Sequence, residues 1–401
     1  MPTAHIRLAQ GLPEAFAPEL EKRLFFISSA IDGFELIVRD GVVEAMDLAV
    51  SAPDASSAAS PEWLHSLEEK IHRVVESEIL VRKILPPKVL WQSRASAGGF
   101  ADVFPALVEN GTAFEAGEGQ VAFGEPLISL MDCFDRRLRA IALDFAGAKE
   151  YRYPTLLPVG VLERFGYFSS FPQFVMFVTR LHNDIDVYNA FIDEYETAGK
   201  ITPGLFAHCH DHGYCLPPTM CYHTYHQYRG RRIEQDTVVT AKGKSFRFEA
   251  KYRSGLRRLW DFTIREIVFM GTPGFALASR QAFMERSCDL IDELGLSGTC
   301  EVATDLFFGK GDTVGKVFSQ RMREAKYELL LDVGQGSPVA VASFNFHDRF
   351  FGKAFEIAEA TAEPVTTGCV GFGLERLVYA FLCQHGLDPA RWPAVVRREI
   401  G

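Results

Sequence analysis

Two β-rich runs, Phe246–Tyr252 and Trp260–Gly271, flank a loop that holds Ser254-Gly255 and the arginines Arg253, Arg257 and Arg258. Strand alternation puts Arg247 and Glu249 on one face of the first run, and Phe262, Ile264 and Glu266 on one face of the second. A cation, an acid, an aromatic ring and another acid then line one sheet surface, capped by an arginine-rich hairpin. Such a surface suits a nucleoside triphosphate, because arginine forks match phosphate oxygens and an aromatic face takes a base. The same residues also fit a hairpin with ordinary cross-strand ion pairs.

A second segment bears on that choice. Thr367-Gly-Cys369-Val-Gly371-Phe-Gly373 precedes a final helix expected over 373–384 and ended by His385-Gly386. Glycines before a helix let the backbone approach a ligand, and the helix N-terminus favours anions. Arg376 lies in the first turn, where its guanidinium can meet the end of a phosphate chain. Elsewhere from Ser245 onward strands dominate. Upstream, a helix over 127–148 has apolar positions at Leu127, Leu130, Met131, Phe134, Leu138, Ile141 and Phe145, and leads into the segment Tyr151–Pro158. Residues 96–126, rich in glycine and alanine, read as an irregular connection.

The first 95 residues read as a small α+β appendage with no chemical motif. Leu24–Ala30, Phe34–Arg39 and Val42–Val50 form β-rich runs split by the turn dipeptides Asp32-Gly33 and Asp40-Gly41. After a polar loop, Ser51–Ala59, Ser60 caps a helix that starts at Pro61 and is stopped by Pro86-Pro87. The chain has 401 residues, room for two to three domains of about 150 each. Its net charge of −10 argues against a nucleic acid as the main partner, because phosphate binding calls for a basic face. No apolar run reaches the roughly 18 residues of a membrane span, and the N-terminus lacks the features of a signal peptide, so a cytoplasmic setting is expected. The eight cysteines are scattered and read as reduced thiols or metal ligands. The cluster His208-Cys209-His210-Asp211-His212, with Cys215, Cys221, His223 and His226 after it, invites a zinc reading, yet its spacing fits no common closed zinc module. The plainer reading is a polar loop whose histidines form hydrogen bonds at the surface.

Taken together, the segments resemble the class II aminoacyl-tRNA synthetase catalytic domain over roughly residues 125–386. The helix 127–148 and the strand ending near Pro154 look like motif 1, the dimer-forming element. Phe246–Glu266 looks like motif 2, with Arg258, Phe262 and Glu266 in its basic–aromatic–acidic pattern, and Gly371–Arg376 looks like motif 3. The resemblance implies an α+β fold, an antiparallel sheet flanked by helices, with the small α+β appendage (1–95) ahead of the catalytic domain (96–401). It also implies ATP-binding roles. Arg247 would hold the α-phosphate, Phe262 would stack on adenine, and Arg376 would hold the γ-phosphate. Glu249, Arg257 and Arg258 would help fix the nucleotide.

The subfamily is narrower. Leu216–His223, the segment Ile264–Glu266 and Thr367-Gly-Cys369 are similar to the zinc-dependent atypical seryl-tRNA synthetases, and more so to their bacterial relatives, the amino acid:carrier-protein ligases. The resemblance implies one Zn²⁺ held by Cys221, Glu266 and Cys369. Three protein ligands leave one coordination position open, as in catalytic zinc sites, and an α-amine can fill it. Each cysteine alone reads as a small buried hydrophobe. Tyr327-Glu328 and Ser343-Phe-Asn345-Phe-His347 look like substrate strands, with Glu328 as an acidic ligand for Mg²⁺ or a structural partner and Asn345 meeting the substrate carboxylate or ATP; the two read equally as a salt-bridged edge Glu and a hydrogen-bonded strand Asn. The implied activity is ATP-dependent activation of a small amino acid of the glycine, alanine or serine class, followed by transfer to the phosphopantetheine thiol of a carrier protein. A homodimer is implied by motif 1. The N-terminal segment offers one helix and no antiparallel heptad partner, so a seryl-tRNA synthetase is the alternative enzyme. A catalytically silent nucleotide-binding paralogue is the third reading.

Overall fold

Apolar residues at every second position, Ala4, Ile6 and Leu8, make Thr3–Pro13 the first strand, β1, with those side chains buried. The computed structural model describes residues 3–51, 60–81, 88–95, 98, 100–251, 255–304, 324–334 and 338–400, and no side chain of Asp211 or His212. After β1 the chain forms a helix, α1 (Ala17–Ile27), where the sequence suggests a strand from Leu24 to Ala30. Leu20 and Leu24 recur one turn apart and are fully buried, so helical periodicity outweighs the β preference of Phe25-Phe26-Ile27. Strands β2 (Ile31–Arg39) and β3 (Val42–Val50) follow as expected, in the order β1-β3-β2. The Asp40-Gly41 turn joins them with φ of 50° and 75°, whereas Asp32-Gly33 lies inside β2 and makes no turn between strands. Helix α2 (Pro61–Val74) begins at Ser60, whose Oγ accepts from Trp63 N at 3.2 Å. The expected stop at Pro86-Pro87 and residues 52–59 of the expected loop lie outside the described residues. Leu12, Leu20, Met46, Ile71 and their neighbours give this unit a core of its own.

Strand β4 (Val89–Gln92) joins a second, larger sheet. The stretch expected to be irregular contains, where described, a short helix α3 (Phe104–Glu109) and a hairpin of β5 (Ala113–Gly117) and β6 (Gln120–Phe123). Gly119 turns that hairpin with φ 63°. Helix α4 (Leu127–Leu143) is shorter than the 127–148 expectation, and β7 (Lys149–Tyr151) follows it. Next come β8 (Leu157–Pro158), α5 (Val159–Glu163), β9 (Phe177–Leu181), α6 (Ile185–Ala198) and β10 (Cys209–Cys215), the three strands forming a small sheet. Then follow α7 (Cys221–Tyr228), β11 (Arg232–Ile233), β12 (Thr237–Phe246) and β13 (Asp261–Gly271).

The C-terminal third departs from the strand-dominated expectation through α8 (Pro273–Glu293). After it come β14 (Gly298–Val302), β15 (Lys326–Leu331), β16 (Val339–Asp348), α9 (Phe350–Ala354), β17 (Ala358–Glu359), β18 (Thr366–Gly373) and α10 (Leu374–His385). A further helix, α11 (Ala394–Ile400), follows the one expected to be last.

The large sheet runs β4-β14-β15-β16-β18-β13-β12-β7, antiparallel except for β7 beside β12. This mixed architecture is the α+β class expected. Helices α4, α8 and α10 cover one face. Phe134 meets Phe381 at 5.3 Å between centroids and Phe145 stacks on Phe283 at 4.1 Å. Each fully buried phenyl ring stabilises by about 1.5–3 kcal/mol. Arg265 of β13 points into this layer and ties three elements together. It donates to both carboxylate oxygens of Asp135 on α4, at 2.7 and 2.9 Å, and to Glu150 of β7 at 2.9 Å. The opposite face is left for chemistry.

Candidate active site

Because strand side chains alternate, the register of the large sheet decides what shares its open face. Glu266 stands opposite Gly371 and Ile264 opposite Gly373, across β13 and β18. On the next strand Ser343 stands opposite Gly371 and Asn345 opposite Cys369, and on the next Glu328 faces Ser343 and Lys326 faces Asn345. All nine line one cavity of about 400 Å³, together with Phe262, Cys221, Arg247, Glu249, Arg258 and Arg376. Gly371 leaves room there. A Cβ at that position would lie 2.9 Å from Ile264 Cδ1 and 3.3 Å from Glu266 Oε2. Gly371 lies within β18, beside the Glu266 carboxylate, and Gly373 is the N-cap residue of α10.

The expected strand over 246–252 is not formed among its described residues beyond Phe246, where β12 ends. The β12–β13 ladder ends at Phe246 opposite Asp261, and beyond it the arms diverge because Phe248 N donates to Phe174 O at 3.0 Å instead. Arg247 N still reaches Trp260 O at 2.9 Å, and its Nε donates to Pro218 O at 3.0 Å. This holds its guanidinium carbon 5.5 Å from the centre of the Phe262 ring. Glu249 is buried and accepts from Arg258 Nη1 at 2.7 Å. Arg257 is the exception among the expected nucleotide residues: its side chain does not line the cavity, and its carbonyl accepts from Arg376 Nε at 2.7 Å. Arg376 Nη1 donates to Ala340 O at 3.0 Å. Burial, and then the neighbouring Arg258, push its guanidinium down to about 10. Tyr252, Arg253 and Ser254 at the hairpin tip lie outside the described residues. Glu328 pairs with Lys326 at 2.8 Å.

At the other end of the cavity, Cys221 at the start of α7, Glu266 of β13 and Cys369 of β18 present ligand atoms all within 4.8 Å of one another, and all three are buried. Burial raises the Glu266 carboxyl to about 7. Burial also raises the Cys221 thiol, and the Cys369 thiol is raised first by its hydrogen bond with Cys221 and then by burial. Thr219 Oγ1 donates to Glu266 Oε2 at 2.7 Å, and Asn345 Nδ2 donates to Cys369 Sγ at 3.6 Å. His347 Nε2 lies 3.9 Å from the same sulfur, with its Nδ1 3.3 Å from Tyr225 OH.

Neither Thr219 nor His347 stands out by type in the sequence. His347 is nonetheless legible as the third alternate residue after Ser343 and Asn345. The conspicuous histidine cluster goes elsewhere: His208 pairs with Glu194 at 2.9 Å, and the His210 ring lies 4.7 Å from that of His182. Cys209–Cys215 is a strand rather than a loop. Among the described residues the one group able to hold a metal is Cys221, Glu266 and Cys369.

Comparison with known proteins decides the family. The chain is 34% identical over 259 residues to amino acid–acyl-carrier-protein ligase 1 of Bradyrhizobium diazoefficiens, covering 64% of this chain and 77% of that protein. The chain belongs to the amino acid–acyl-carrier-protein ligase family. The family in turn borders on the type-2 serine–tRNA ligases: that of Methanococcus aeolicus is 29% identical over 296 residues, 71% of this chain and 56% of the relative. Among solved structures, M. kandleri SerRS in complex with A. aeolicus tRNASec superposes with a TM-score of 0.71 at 20% identity, covering 99% of this chain and 77% of that one. The fold is thus the class II synthetase fold, as the motifs imply. No protein-family model matches the chain. No helix among the described residues is long and apolar enough to cross a membrane.

Proposed function

We propose that this ligase activates a small amino acid with ATP and passes it to the phosphopantetheine thiol of a carrier protein. The observation that carries the reading is the shared cavity, in which a nucleotide end (Arg247, Glu249, Arg258, Phe262, Arg376) and an amino-acid end (Cys221, Glu266, Cys369, Asn345) lie on one sheet face. Phe262 stacks on adenine while Arg247 holds the α-phosphate. Arg376 holds the γ-phosphate, with Glu249 orienting Arg258. Glu328 takes part in binding Mg²⁺. Bound carboxylate attacks the α-phosphorus, pyrophosphate leaves, and the charge that develops on the phosphoryl oxygens is met by Arg247. The thiol then attacks the mixed anhydride carbonyl and AMP departs. Arg247 and Arg376 are the catalytic pair of this reading.

The donor set at the amino-acid end fits zinc. Two thiols and a carboxyl buried together disfavour their own ionised forms, and a divalent cation among them reverses that preference. Thiolate with carboxylate is a ligand set zinc accepts, and a bound zinc supplies an open position for the substrate's neutral α-amine. Asn345 then meets the substrate carboxylate. Division of the chain into a 1–95 appendage and a 96–401 catalytic unit, with β4 lent to the larger sheet, and pairing of two chains through α4 and β7 belong to the same proposal. The superposition that extends through the N-terminal unit keeps transfer to tRNA as the second reading. The test is ATP–pyrophosphate exchange with each of the twenty amino acids. Exchange driven by one or two small amino acids supports the activation step, and no exchange with any of them rejects it.

A further inference from the structure

Residues 3–81 contribute no motif, yet one of their side chains reaches the active cavity. Lys22, on α1, lines it. Phe26 lies one turn further along the same helix face. Its ring meets Phe174 edge-on at 5.8 Å, and Phe174 is itself part of the cavity wall. A second contact fixes the unit there: Lys251 Nζ donates to Ser29 O at 3.0 Å and to Asp32 Oδ1. Lys251 follows Glu249 by two residues, so both contacts fall on the lip formed by 171–174 and 248–251.

The other cations of the cavity are engaged within the larger unit. Arg247 and Arg376 bond to carbonyls, Arg258 to Glu249 and Lys326 to Glu328. Lys22 differs in origin and position. Its side chain is 42% exposed, which puts it at the solvent end, and its ammonium lies 3.3 Å from Glu19 Oε1, a carboxylate that also serves Arg23 at 2.8 Å. An exposed pair of that kind is weak and readily exchanged for another anion.

We infer that Lys22 is a positioning residue for the acceptor, meeting the phosphodiester of the phosphopantetheine arm. The inference rests on the transfer reading above. The arm has its thiol at one end and its phosphodiester at the other. When the thiol reaches the mixed anhydride inside the cavity, the anion trails toward the mouth, where α1 supplies a cation outside the nucleotide set. The N-terminal unit thereby completes the acceptor entrance.

The test compares kcat/KM for aminoacyl transfer to two free thiols, phosphopantetheine and pantetheine, in the full chain and in Lys22→Ala, Lys22→Glu and Lys22→Arg. The ratio within each variant cancels any defect in folding or activation, which a merely structural role would cause. Wild type should prefer the phosphorylated thiol. K22A should reduce that preference by about two- to fivefold, the scale of one half-exposed ion pair, K22E should reduce it further, and K22R should keep it. Equal ratios in wild type and K22A, with transfer intact, overturn the inference alone. Activation followed by label on tRNA, with none on either thiol or on holo carrier protein, overturns the transfer reading and this one with it.

Discussion

Replacing Arg265 with methionine removes the cation that joins α4, β7 and β13 while leaving the open face of β13 untouched. In the native chain Arg265 is 1% exposed and Asp135 6%. Loss of the guanidinium strips Asp135 of its two-pronged partner and leaves it Lys242 at 3.0 Å, while Glu150 keeps Arg139 at 2.7 Å. Breaking a buried pair from one side costs about 3–5 kcal/mol, and the remaining lysine puts the expectation near the lower end, ~3 kcal/mol. The double variant Asp135→Leu/Arg265→Met removes both buried charges and should recover most of that loss, because burying an ion pair and burying matched apolar groups come out within about 1 kcal/mol of each other or better. Burial alone would raise the Asp135 carboxyl, but Arg265 and then Lys242 hold it below the usual range, and Arg265 and then Arg139 do the same for Glu150 against its own burial. A depressed folded pKa gives stability that is present above the unfolded value of about 4 and is lost as pH falls through the folded one. Wild type should therefore lose stability below about pH 4 more steeply than the double variant. Equilibrium denaturation in urea, followed by tryptophan fluorescence at pH 7 and at acid pH, reads all three chains. An R265M midpoint matching wild type, or a double variant as weak as R265M, would show that the buried Asp135–Arg265 pair does not set this stability.

Three further outcomes are expected. Purified protein should carry about one zinc per chain, and Cys369→Ala should carry almost none; loss that follows His210→Ala instead would move the metal to the histidine strand. Gly371→Ala should press on Ile264 and Glu266, costing about 1 kcal/mol in stability but about tenfold or more in zinc affinity, measured by competition with a chelator; unchanged affinity would show that the Glu266 carboxylate does not need the space. Light scattering should return about twice the 44.8 kDa chain mass, as closed two-fold pairing through α4 and β7 requires, and a monomer mass over a wide concentration range would reject the dimer.

Much of the site is readable from period-two alternation. Phe262, Ile264 and Glu266, and again Ser343, Asn345 and His347, fall on one face of their strands because nothing but strand geometry is needed to put them there. Cys221, Glu266 and Cys369 are a different matter. They sit on α7, β13 and β18, and only the sheet order brings them together, so spacing along the chain carries no trace of them and resemblance to the family is what exposed them. Local spacing even misleads, as the crowded His208–His212 segment shows. Helix α8 escaped notice because its buried face includes Ser279, Arg280 and Ser287, which interrupt the apolar stripe. The strand expected at Leu24–Ala30 fails for the opposite reason: a local run of aromatic residues hides the helical spacing of Leu20 and Leu24. Lys22 has no pattern at all, since its place in the cavity depends on how one unit rests on another.

In the proposed reaction the activated amino acid goes to a thiol. Full-length protein, ATP, Mg²⁺ and labelled glycine, alanine or serine are incubated with holo carrier protein, apo carrier protein and bulk tRNA in parallel. Holo carrier protein should acquire label that hydroxylamine removes, as a thioester requires, and the apo form should acquire none. Label on tRNA with none on any holo carrier protein would contradict transfer to a thiol.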